Sequence, residues 1–164
     1  LAEIDGESVV SHAARSMMNA HLDGYVLITG AANLGSALQE FSGLAVIENP
    51  DFRRGIATSL SVAVEWGKAE DFDALIVGLA DQPGVLASSW RRLSDSSSPI
   101  AVANYDGRSG NPVRLERSVW PLLPRIGDEG ARVLLRTRPE LVEQVACEGS
   151  SDDIDTVEDL SQWS

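Results

Sequence analysis

The sequence predicts an α/β fold, with a mostly parallel sheet and helices on both of its faces. Three features of the chain point there. Short apolar runs alternate with segments of helical spacing from one end to the other, the order expected of βα units. The run from Ala74 to Ala80 is continuously apolar, which suits a strand buried on both faces. Turn residues close the runs, Asn49-Pro50 in one place and Asp81-Gln82-Pro83 in another. Ligands of open α/β sheets bind outside the carboxyl ends of such strands.

The elements follow in order. Ile4 to Glu7 reads as a turn, and Ser8 as the N-cap of a helix over Val9 to Asn19. Val9, Ala13, Ser16, Met17 and Ala20 fall at helical spacing and form its expected inward face. His12 and His21, with no carboxylate or Cys at ligand spacing, read as surface or core histidines. Tyr25 to Thr29 is a strand, and Gly30 to Gly35 leads into a helix through Phe41. Leu44 to Glu48 is the next strand, and Asp51 to Ser59 is a loop entering a helix that runs to about Lys68. The strand before Asp81 is followed by a helix over Leu86 to Leu93, then a strand over Ile100 to Asn104. Tyr105 to Pro112 is rich in turn residues, with a short extended piece, Val113 to Leu115, behind it. Two short helices, Ser118 to Leu123 and Glu129 to Thr137, precede a last strand over Leu141 to Ala146. An acidic loop then enters a final helix, with Thr156 and Asp159 in capping-box positions.

Composition narrows the function. The 164 residues are 43% apolar and 23% charged, a single-domain length with ample material for a core. A net charge of -12 argues against general binding to nucleic acid or anionic membrane. No apolar segment is long enough to span a bilayer. The single cysteine, Cys147, excludes an internal disulfide and suits a cytoplasmic location. No signal peptide is visible, although the chain opens at Leu1 rather than Met.

Several residue groups carry potential chemistry, each with a plainer reading beside it. Asp81, at the carboxyl end of its strand, can hold a hard cation such as Mg²⁺ or simply cap the next helix. Gly55 followed by Thr58 and Ser59 offers backbone amides and hydroxyls at a helix start, or merely caps it. Gly30 to Gly35 has the spacing of a phosphate-cradling loop but lacks its Lys-Ser/Thr, so turn glycines explain it. Dinucleotide binding there is disfavoured, because Glu48 comes too early for the ribose-binding acid. Asp153 and Asp155 read either as further metal ligands or as a solvated acidic loop.

Taken together, Asp81-Gln82-Pro83, the stretch Tyr105 to Pro112, Gly127 to Arg132 and the stretch Asp153 to Leu160 resemble one family. Asn49-Pro50 and Gly55 to Leu60 match it as well. It is similar to the MobA-like nucleotidyltransferases, specifically their molybdenum cofactor cytidylyltransferase branch. The resemblance implies a three-layer α/β/α fold of the nucleotide-diphospho-sugar transferase type. It also implies Mg²⁺-dependent transfer of a nucleotide from an NTP, CTP preferred, to the terminal phosphate of a molybdopterin-type cofactor. Asp81 would be the catalytic metal ligand, with Asp155 near the metal and Asp153 less securely so. Gly55, Thr58 and Ser59 would approach the nucleotide. Asn111 and Pro112 would line the acceptor side, and Arg132 would face the acceptor phosphate or stand as a helix-surface charge. A molybdenum hydroxylase apoenzyme is an implied partner. Such families open with a strand and a loop of the type L-x-A-G-x-S-x-R-M-G-x-x-K, and Leu1 to Val10 resembles the segment that follows it. A strand and loop of roughly two dozen residues is therefore expected ahead of Leu1. The alternative function is a non-catalytic relative that binds the cofactor or acts as a chaperone for a molybdenum enzyme.

Overall fold

The computed structural model describes residues 3–4, 6–31 and 34–153. Two short strands, β1 (Glu3–Ile4) and β2 (Glu7–Ser8), pair antiparallel around the expected turn and lead into α1 (Val9–Met18). Ser8 caps α1, its hydroxyl accepting from the Ser11 N–H at 3.2 Å. Val9 and Ala20 of the expected face are buried and Met17 packs with Ala20 against Val85 and Trp90, while Ala13 and Ser16 are half-buried and Val10, Ser11 and Ala14 form a second buried flank. The cause is support on two sides. The Ser11 hydroxyl donates to the Ala37 carbonyl, and the Ser16 hydroxyl to that of Val85.

β3 (Tyr25–Thr29) and β4 (Leu44–Glu48) form a parallel pair, Tyr25 opposite Leu44 through Thr29 opposite Glu48, with α2 (Gly35–Leu38) between them. After a single 3₁₀ turn, Phe52–Arg54, comes α3 (Ile56–Ala69). β5 (Ala74–Val77), β6 (Ile100–Tyr105), β7 (Arg108–Glu116) and β8 (Val142–Ala146) form a second sheet in the order β5-β7-β6-β8. α4 (Ala87–Ser94) lies between β5 and β6, and α5 (Arg132–Thr137) precedes β8.

The α/β class and the alternation of strands and helices hold, but among the described residues the sheets are mixed rather than mostly parallel. β7 runs antiparallel to both β5 and β6, while β6 and β8 run parallel. The stretch read as turn chemistry plus a short extended piece is one nine-residue strand. Its turn is confined to Asp106 and Gly107, both at positive φ, the conformation a two-residue hairpin loop requires.

Helices cover both faces of the four-stranded sheet because the side chains of β6 alternate. Ile100 and Val102 enter one core with Leu60 and Val64 of α3 and Leu134 of α5. Ala101, Ala103 and Tyr105 enter another with Leu93 of α4. Leu93, Ile100 and Leu115 are fully buried, and each contributes about 1.5 to 3 kcal/mol by leaving water. A groove of about 530 Å³ is lined by Tyr25 and Val26 of β3, from the parallel pair, and by Ala74 to Ile76 of β5, from the four-stranded sheet. Among the described residues neither β3 nor β5 has a strand on its other edge. No helix among them is long and apolar enough to cross a membrane.

Candidate active site

β5, β6 and β8 run the same way and β7 opposes them. Their arrangement brings Asp81 beyond β5, Tyr105 at the end of β6, the first half of β7 and Cys147 beyond β8 to one end of the sheet. One group of candidate site residues gathers there.

A bulge in β7 sets the geometry. Val102 pairs with Val113 and Ala103 with Gly110, so Asn111 and Pro112 have no partner in the ladder. Proline lacks the N–H that a ladder needs, and bulges re-aim side chains next to functional sites. Asn111, joined to buried Pro112 by a cis peptide bond, has its backbone carbonyl held by the Tyr105 hydroxyl at 2.7 Å. Its side-chain amide donates to Gln82 Oε1 at 3.0 Å. Burial pushes the Tyr105 phenol up to about 12, so it stays a donor throughout the neutral range.

Gln82 joins this turn to the acidic tail. It donates to the Ser151 carbonyl at 2.8 Å and to Asp153 Oδ1 at 2.6 Å. Val85 bridges Gly149, and the Ser150 N–H donates to the Gly84 carbonyl at 3.0 Å. Ser151 packs so closely over Gly110 that a Cβ there would collide with its hydroxyl. Residues 149–153 thus lie along the turn that follows Asp81, which is itself half-buried.

A second group forms beyond β4. Asn49, 2% exposed, donates to Thr58 Oγ1 at 2.8 Å and Ser59 Oγ at 2.9 Å, and accepts from the Asp51 N–H at 3.0 Å. The Thr58 hydroxyl directs its one proton to the carbonyls of Gly55 and Asp51, at 2.8 and 3.2 Å. Gly55 has φ 104° and ψ 165°, a region essentially reserved for glycine. Around it the Ala57 N–H donates to the Gly127 carbonyl and the Gly127 N–H to the Arg54 carbonyl, each at 3.0 Å. The loop carrying Gly127 to Gly130 is therefore stitched to the start of α3. Gly130 meets Ile56, and Arg132 stands exposed two residues later.

The structure brings Asn111 and Asp153 to the turn after Asp81, and gathers Gly55, Thr58 and Ser59 around Asn49. It puts Arg132 at the start of α5, beside the second group. Asp155 lies outside the described residues. Among those described, no trio of Asp, Glu, His or Cys forms a metal cage. Sequence reasoning passed over Asn49, Gln82 and Gly127 as individuals, although each sits inside a motif that carries the family resemblance. For Asn49 and Gln82 the available signal was a polar side chain just after an apolar run and next to a proline.

Residues 1–145 match the MobA-like NTP transferase domain. The chain belongs to that family. The domain is 30% identical over 169 residues to Nicotine blue oxidoreductase of Paenarthrobacter nicotinovorans, covering 94% of this chain and 82% of the relative. It is 25% identical over 171 residues to Purine catabolism protein PucB of Bacillus subtilis strain 168, with 95% and 82% covered. Rv0371c of Mycobacterium tuberculosis H37Rv, solved in complex with manganese, aligns at 26% identity with a TM-score of 0.80, covering 99% of this chain and 89% of that one. The tail segment 149–153 that packs on Gln82 lies beyond the span matched to the MobA-like domain.

Proposed function

We propose that this MobA-like domain transfers CMP from CTP to the terminal phosphate of a molybdopterin-type cofactor and hands the product to a molybdenum hydroxylase apoenzyme. The observation that carries the proposal is the meeting of Asp81, Asn111 and Asp153 at one end of the sheet in a nucleotidyltransferase-family fold. An oxygen of the acceptor phosphate attacks the α-phosphorus of the NTP. A new P–O bond forms, the bond to the β-phosphate oxygen breaks, and pyrophosphate leaves with the bonding pair.

The donor set fits Mg²⁺. Asp81 and Asp153 supply hard oxygen donors on adjoining segments, and Mg²⁺ is held by one or two carboxylates, substrate phosphates and water. When bound, the metal would neutralise charge building on the phosphates. Asp155 is proposed as a further ligand. The chain's own residues do the positioning. Gly55 lets the loop lie flat against Gly127, Asn49 orients the Ser59 hydroxyl toward the nucleotide side, and Thr58 braces the loop. Asn111 and Pro112 line the acceptor side, with Arg132 available to an acceptor phosphate.

The test is pyrophosphate release with each of the four NTPs, with and without molybdopterin, in Mg²⁺. Release with CTP that requires the acceptor supports the proposal. Release with another NTP alone corrects the base, and none with any NTP rejects transfer. The name of the Paenarthrobacter relative favours a second reading, redox chemistry on nicotine blue. Conversion of nicotine blue that consumes an added hydride donor, with no pyrophosphate release, would select it. Cofactor binding without either reaction would select the non-catalytic chaperone role.

A further inference from the structure

Gln82 is 4% exposed, while Asp81 and Pro83 on either side are half-buried. Both hydrogens of its amide are used, and its oxygen is engaged. The two Nε2 hydrogens go to the Ser151 carbonyl and Asp153 Oδ1, and Oε1 accepts from Asn111 Nδ2. The orientation is unambiguous, because a carbonyl and a carboxylate can only accept, so the nitrogen must face the tail and the oxygen must face Asn111. The bond to Asp153 is 2.6 Å long, and a carboxylate acceptor makes such a bond charge-assisted. An otherwise exposed carboxylate is thereby held by one oxygen, with the other outside this bond.

We propose that Gln82 is a positioning residue that holds the Asp153 carboxylate and the Asn111 turn against the strand end of Asp81 for divalent-cation binding. This rests on the transferase reading and deepens it. A neutral amide suits this role, because it satisfies a carboxylate and a carbonyl together without adding charge that would compete with the cation. Glycine at Gly110 lets Ser151 lie close enough for the tail to reach Gln82.

Gln82→Glu keeps the volume but sets a carboxylate against Asp153 and the Ser151 carbonyl, while Asn111 can still donate to it. Asp153→Asn removes the charge on the exposed side and leaves the core alone, so it carries the test if the first variant fails to fold. Three readouts are combined: amide exchange at residues 150–153, Mn²⁺ binding without nucleotide, and the Mg²⁺ concentration giving half-maximal pyrophosphate release. Each single variant should weaken Mn²⁺ binding about 10-fold or more. The double variant should lose no more than the weaker single, as expected of coupled groups. Gln82→Glu should also speed exchange at 151–153. Faster exchange in Gln82→Glu with Mn²⁺ binding within about 2-fold of wild type would reduce Gln82 to a structural tether and overturn the proposal. Wild-type Mn²⁺ binding in Asp153→Asn, or no binding by the wild type, would overturn it too. If the wild type binds Mn²⁺, the variants lose it, and no pyrophosphate is ever released, the transferase reading fails while the role of Gln82 stands.

Discussion

Replacing Gly55 with alanine strikes the junction that stitches the start of α3 to the loop of Gly127. The native φ of 104° and ψ of 165° cost an alanine about 1 to 3 kcal/mol in backbone strain. The new Cβ would also land inside van der Waals contact of the Gly127 carbonyl carbon and oxygen, and 2.7 Å from Asp128 Oδ1. Backbone cannot swing aside as a flexible side chain can, so the loops must separate. Separation breaks the Ala57-to-Gly127 and Gly127-to-Arg54 hydrogen bonds, each worth about 1 kcal/mol. The total is about 4 kcal/mol, which for a domain of this size lowers Tm by roughly 12 °C. Gly43→Ala is the control: its φ is also positive, at 89°, but nothing lies within 4 Å of the added carbon. That variant should lose only about 1 to 2 kcal/mol. Denaturant melts of both, with pyrophosphate release measured where each is folded, separate strain from collision. Equal losses within about 0.5 kcal/mol would refute the stitching of the two loops.

Asn49→Ala removes two donated bonds and one accepted bond at a buried position. It should cost about 3 kcal/mol and raise the KM for the nucleotide, as read from melts and NTP titration; an unchanged KM would detach Ser59 from the nucleotide side. Tyr105 supplies a pH test. Its phenol titrates near 10 when unfolded and about 12 when folded, so below pH 10 both states are protonated and its contribution is intact. Between these values only the unfolded state has released its proton, so stability falls with rising pH, by about 2 to 3 kcal/mol in all. Tyr105→Phe should lack that alkaline loss, while losing about 1 kcal/mol at neutral pH with the bond to the Asn111 carbonyl. Identical alkaline melting of the two proteins would contradict it.

Local chemistry was legible wherever it decided the outcome. The strands Tyr25–Thr29 and Leu44–Glu48 were readable to the residue, because each apolar run ends in residues that cannot continue it. The cap at Ser8 was equally plain. What escaped was long-range. Arg108 to Pro112 looks like a loop in isolation and becomes strand only because β6 offers hydrogen bonds to one side and β5 pairs with the remainder. Gln82 could be seen within Asp-Gln-Pro, but its partners lie 29, 69 and 71 positions away. The clasp of Gly55 by Gly127 likewise joins segments that no spacing rule connects. Asp81 could be placed beyond a strand from sequence, although β5 already stops at Val77, whereas the tail that packs on Gln82 could be named only as acidic.

The most direct measurement is to follow label from the α-phosphate of CTP into a pterin product, in the wild type and in Asp81→Asn. That substitution removes charge without changing volume, so the variant should keep its fold by circular dichroism and melt near the wild type. Transfer of label to molybdopterin by the wild type, with at least a roughly 100-fold loss in Asp81→Asn, is the expected result. A folded Asp81→Asn protein that transfers label at the wild-type rate would contradict the central role given to the carboxylate beyond β5. Absence of labelled pterin in the wild type would contradict the proposed reaction.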